Sequence, residues 1–109
     1  MTKIECITLL GDVIVQLDKQ RGSLSPGTPQ RKKLDEIRRI LNEKQLELAD
    51  LVFDEGTAAY KAATDKLTAI DKDIRNTIND VNKVAETFAA LASLVTAIDE
   101  LFMLATGIG

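Results

Sequence analysis

The side chains able to do chemistry are one cysteine, Cys6, seventeen carboxylates and fourteen basic residues, with no histidine in the chain. Without an imidazole there is no ordinary acid–base group for neutral pH and the commonest metal ligand is missing. Cys6 stands in the apolar stretch 4–17 with no histidine to deprotonate it, so a buried, inert thiol is expected. A carboxylate-bridged metal centre in a helical bundle needs acids that point inward, usually beside histidines. In the C-terminal half the acids fall on the polar face of an apolar stripe, away from where such a centre would sit. These patterns predict no catalytic residue, no metal and no cofactor, which makes the chain a non-enzyme.

The densest charge is Arg31, Lys32, Lys33, Arg38 and Arg39, five basic residues in nine. Asp35 and Glu36 sit among them, no aromatic is interleaved, and the chain as a whole carries a formal charge of −3. Nucleic acid is therefore not expected as a partner. A solvated face with internal ion pairs explains most of the cluster, and an acidic protein surface is the partner it would suit. The basic run is followed by an acidic one, Glu43, Glu47, Asp50, Asp54 and Glu55. Arg31, Lys32, Lys33, Arg38, Arg39, Glu43, Glu47 and Asp50 are accordingly the candidate partner-binding residues.

A second possible activity is membrane contact. Residues 87–98 carry no charge, nor do residues 101–109, but Asp99 and Glu100 separate the runs. Neither reaches the roughly 18 to 20 residues needed to span a bilayer, and no basic amphipathic face is available for surface binding. Near the N-terminus, Glu5 and Asp12 interrupt the apolar run and no small-residue cleavage pattern follows. The stretch reads as a retained helix, and cytoplasmic residence is the expectation.

The elements that must position these groups are helices. Apolar residues make up 45 % of the chain and aromatics only 4 %, a balance that favours helices over a sandwich or barrel. Thr2 and Glu5 have the spacing of a capping box, predicting a first helix over about 3–21 with Gly11 allowing close approach of another backbone. In the loop 22–28, Pro26-Gly27 suits the centre of a type II turn, and Thr28-Pro29 suits the N-cap and first turn of a second helix over about 29–54. Lys44 interrupts the apolar seam of that helix, marking a gap in coverage or a partner. Its basic start and acidic end oppose the helix macrodipole. A turn over 54–57, with Gly56 as breaker and Asp54 or Thr57 as cap, then leads into the third helix; one continuous helix through Gly56 is the rival reading.

From Tyr60 to Ala105 apolar residues recur at alternating steps of three and four, with Thr77 the one polar member. This unbroken heptad seam predicts a long helix over about 57–106, roughly 70 Å from end to end. Asp65, Lys72, Asn79, Glu86, Ser93 and Glu100 mark its polar side. The one candidate hinge is 76–82, with three asparagines and Asp80; a break there would give four helices instead of three. Thr77 needs no special role, because a threonine hydroxyl can bond to the preceding turn.

The expected fold is all-α, an antiparallel bundle of three or four helices in one domain with the heptad-patterned segment at its C-terminal end. The apolar excess of the first helix and of the last half favours a homo-oligomer, with Phe88, Leu91, Val95, Ile98 and Phe102 as candidate self-association residues. The functional expectation is a protein–protein interaction module: a small adaptor, an immunity-like inhibitor or an assembly subunit. The alternative is a helical component of a membrane-active or secreted assembly that uses residues 85–109.

Overall fold

A computed structural model describes residues 1–108. It contains four helices: α1 (Lys3–Ser23), α2 (Pro29–Asp50), α3 (Ala58–Thr77) and α4 (Val84–Phe102). Two short strands, β1 (Leu51–Phe53) and β2 (Ala105–Ile108), pair antiparallel at one end. The helices form two antiparallel hairpins, α1·α2 and α3·α4, packed together through α1·α3 and α2·α4. The fold is thus the expected all-α bundle, in its four-helix form, measuring 43 × 22 × 18 Å.

The helix starts follow the local signals. Thr2 and Glu5 make both bonds of the capping box. Gly27 takes a positive φ of 84° and Thr28 N–H donates to Ser25 O at 3.3 Å, giving the turn that Pro26-Gly27 demands. Thr28 caps α2 through Arg31 N–H, and Thr57 caps α3 through Tyr60 N–H. Asp54 supports the intervening turn by accepting from Gly56 N–H at 3.2 Å. The chain therefore breaks between α2 and α3, and a helix continuous through Gly56 is not formed.

Three expectations are corrected. The long helix over 57–106 does not form; the chain turns back inside the candidate hinge 76–82. Ile78 ends α3, and Asp80 adopts an extended conformation with its carboxylate accepting from Asn82 N–H at 2.9 Å. That local bond competes with helix continuation. A heptad stripe says only that one face needs cover, and here its two halves cover each other. Tyr60, Leu67, Ile70, Ile74, Leu91 and Ile98 all enter one core, while Val81 at the turn is left 71 % exposed.

The second correction concerns both chain segments expected to be helical at their ends. Residues 51–53 leave α2 and 105–106 lie in β2, with Leu51 opposite Ile108 and Val52 opposite Gly107. β-branched and aromatic residues suit the ribbon better than another helical turn, and Phe53 rests at 5.6 Å centroid separation against Tyr60. The third correction concerns Gly11. What approaches it is the Gln45 side chain, whose amide nitrogen lies 3.1 Å from where a Cβ would be and donates to Ile7 O at 3.0 Å.

The unfavourable charge order of α2 is answered from another helix. Lys3 Nζ donates to Ala49 O at 3.0 Å and Leu51 O at 2.9 Å, placing a cation on the carbonyls at the acidic end of α2. Buried threonines are satisfied within their helices: Thr64 donates to Tyr60 O and Thr87 to Lys83 O. Thr77 bonds to the Asp73 carbonyl, as a local role requires, and its hydroxyl oxygen lies 3.0 Å from that of Thr87.

Candidate interaction surfaces

The topology gives the bundle two unlike ends. One holds the C-termini of α1 and α3 and the N-termini of α2 and α4, joined by the 24–28 and 78–83 turns; the other holds the ribbon. Cut at mid-length, the linker half (residues 12–39 and 68–92) carries ten basic and eight acidic side chains. The ribbon half (1–11, 40–67 and 93–109) carries four basic and nine acidic ones. A chain whose overall charge is mild is therefore strongly acidic at one end.

The basic cluster of α2 is largely used internally. Arg31 donates to Arg21 O at 3.0 Å, Leu24 O at 3.2 Å and Asp35 at 3.3 Å, tying the 24–28 turn to α2. Arg38 reaches Asp18 on α1 through two bonds, at 2.7 and 3.3 Å. Arg38, helped by Arg21, holds the Asp18 carboxyl below its ordinary value. Arg39 bridges Glu36 and Glu43 along its own helix, and its guanidinium lowers the Glu36 pKa. Lys33 Nζ sits 4.7 Å from the centroid of the Phe88 ring. Lys32 and Lys33 are both exposed and make no ion pair among the described residues. On the acidic side Glu43 pairs with Arg39, whereas Glu47 and Asp50 are exposed and pair with no cation among the described residues.

Lys44, the polar interruption of the α2 seam, meets Asp99 of α4 at 2.5 Å and lies 5.7 Å from the Phe102 ring centroid. The gap in the seam is thus an intramolecular bridge. Among the candidate self-association residues, Leu91 and Ile98 are buried within the single chain, and Phe88, Val95 and Phe102 are half-buried against the same core.

Cys6 and Tyr60 lie side by side at 1 % and 2 % exposure. Burial pushes the Cys6 thiol up and the Tyr60 phenol further up. A thiol so placed is protonated and inaccessible, which fits a core group. Among the described residues no three or more cysteine or carboxylate side chains are grouped to hold a metal ion. A groove of about 420 Å³ between α3 and α4 is lined by Asp73, Thr77, Glu86, Ala89 and Ser93. It is open and shallow, with no buried charge at its base.

Exposed apolar side chains show the clearest asymmetry. Of eight large ones among the described residues, six lie in the ribbon half: Met1, Ile4, Leu46, Val52, Met103 and Ile108, the last two 84 % exposed. Sequence periodicity assigned 103–106 to a helix and so could not locate this group. For Met103 and Ile108 the signal in the sequence is the uncharged run 101–109. The segment Val81–Phe102 is the one helical stretch among the described residues long and apolar enough to cross a membrane. Its Leu91, Leu94, Ala97, Ile98 and Leu101 are buried in the bundle. Comparison with protein-family models, with curated proteins and with solved structures gives no match.

Proposed function

We propose that this chain is a non-enzymatic protein-interaction module whose docking surface is the ribbon end of the bundle. The supporting observation is the coincidence there of most of the exposed large apolar side chains with the chain's acidic excess. Apolar contacts supply affinity and charge supplies steering and selectivity. The arginines of α2, Arg31, Arg38 and Arg39, are engaged within the chain, so the docking role is given to the far end of that helix, where Leu46, Glu47 and Asp50 are exposed. A small adaptor, inhibitor or assembly subunit of this kind works as a monomeric plug, because its heptad seam is closed on itself.

The test compares capture of binding proteins from extracts of the source cells by three chains. One is wild type, one carries Leu46→Ser, Met103→Ser and Ile108→Ser, and one carries Val15→Ser and Val81→Ser at the other end. The first and third should retain the same partner and the second should lose it. Equal capture by all three removes the ribbon end from the account.

A membrane-active role has one specific observation in its favour, the length and hydropathy of Val81–Phe102. Insertion would require α4 to abandon its buried contacts. Under the interaction reading, anionic vesicles keep an entrapped dye when the folded chain is added.

A further inference from the structure

We propose that the outer edge of β2 is a strand-addition site that takes an extended, basic segment of a partner protein. The inference rests on the reading of the ribbon end as a docking surface and specifies its occupant. Among the described residues the sheet has two strands, so each has one edge without a neighbouring strand. On β1, Lys3 Nζ takes the Leu51 carbonyl. Among the described residues no group hydrogen-bonds to the outer edge of β2; the one side-chain bond from this strand, Thr106 Oγ1 to Val52 O at 3.1 Å, points inward to β1. Such an edge is a template for another strand, and proteins usually guard it with charge, proline or cover. Residues 101–109 contain no charge and no proline. A two-stranded ribbon is also marginal by itself in water, and a third strand would complete a unit of ordinary stability.

Charge selects the occupant. The half of the molecule that carries the ribbon has nine acidic side chains against four basic ones, so a segment bearing lysine or arginine is drawn in. The same excess opposes a second copy, since pairing β2 with its own equivalent would bring two acidic ends together. Backbone bonds to the β2 edge would supply affinity, and alternate apolar side chains would meet Met103 and Ile108. A helical partner would leave the strand edge unpaired.

The test uses a synthetic decapeptide of alternating valine and lysine as probe, with two controls: the same peptide methylated on every backbone amide, and one with glutamate for lysine. Affinity is measured by fluorescence anisotropy at two salt concentrations, and amide hydrogen exchange is followed at residues 105–108. The lysine peptide should bind about tenfold or more tightly than either control, weaken with salt, and slow exchange at 105–108. Met103→Lys with Ile108→Lys, at two largely exposed positions, should weaken it by a similar factor with the fold intact by circular dichroism. Equal binding of the methylated peptide, or unchanged exchange at 105–108, overturns strand addition. If the lysine pair still weakens that binding, docking at the ribbon end survives; if it does not, both readings fail. Protection of 105–108 without peptide, with doubled solution mass, overturns the basic occupant in favour of a second copy.

Discussion

Tyr60→Phe should make this protein more stable, against the ordinary trend that substitutions in a core destabilise. The Tyr60 side chain is 2 % exposed, and its hydroxyl finds no hydrogen-bond partner among the described residues. What lies beside it is the Cys6 thiol, at best a weak donor or acceptor. A buried hydroxyl left unpaired costs about 1–3 kcal/mol in mutational data. Removing it leaves a void about one oxygen in size, with a smaller opposing cost, so the net gain should be about 1 kcal/mol. For a domain near this size that raises Tm by about 4 to 8 °C. The pH dependence supplies a second readout. The phenol titrates near 10.0 in the unfolded chain, while burial raises its value in the fold. The folded state therefore holds the proton more tightly; the stability tied to it is complete below about pH 10 and is lost as pH climbs toward the raised folded value. Urea melts followed by circular dichroism between pH 7 and 11 should show a falling stability in the wild type and a flatter profile in Tyr60→Phe. Destabilisation by more than about 1 kcal/mol would refute the reasoning, because it would mean the hydroxyl makes a bond that the fold depends on.

Other expectations test the elements separately. Asn79→Ala with Asp80→Ala removes the local bond at the end of α3 and restores helix propensity across the turn; light scattering should then show a swapped dimer with twice the wild-type mass, and an unchanged mass would mean that packing alone sets the turn. Lys3→Met should cost about 1 kcal/mol in urea melts by stripping the cation from the Ala49 and Leu51 carbonyls, and no change would show the acidic end of α2 to be adequately solvated. In acid, the lowered values of Asp18, Glu36 and Glu5 mean that their contributions are present above pH 4 to 5 and are lost as pH falls through the folded values; Asp18→Asn should flatten part of that loss, and an identical acid profile would assign it to other groups.

The sequence carried the helix starts with high fidelity because caps are local: Thr2 with Glu5, Thr28 with Pro29, and Thr57 are each decided within a turn of chain. The core of α3 was equally legible, since Tyr60, Leu67, Ile70 and Ile74 of the stripe are buried, whereas in α4 only Leu91 and Ile98 of it are, and the buried face turns toward Thr87, Leu94, Ala97 and Leu101. What the stripe omits is the identity of the covering face. Phe88 and Leu91 satisfy the same pattern whether they meet a second chain or the α3 helix of their own, and nothing in the stripe marks the turn at Asp80. The ribbon was hidden for a related reason. Strands of three and four residues are too short for periodicity, and pairing 51–53 with 105–108 is a contact between distant parts of the chain. The charged face of α2 misled in part because Arg31 and Arg38 find their partners across the hairpin, at Arg21 O and Asp18, where helical spacing along one helix gives no sign of them.

The measurement closest to the central claim is site-specific photo-crosslinking in the source cells, with the reactive residue placed in turn at positions 103, 108, 19 and 83. Docking at the ribbon end predicts adducts from 103 and 108 to one partner, mapped to an extended segment rich in lysine or arginine, and none from 19 or 83. Adducts confined to 19 and 83 would place the partner at the linker end and contradict the account.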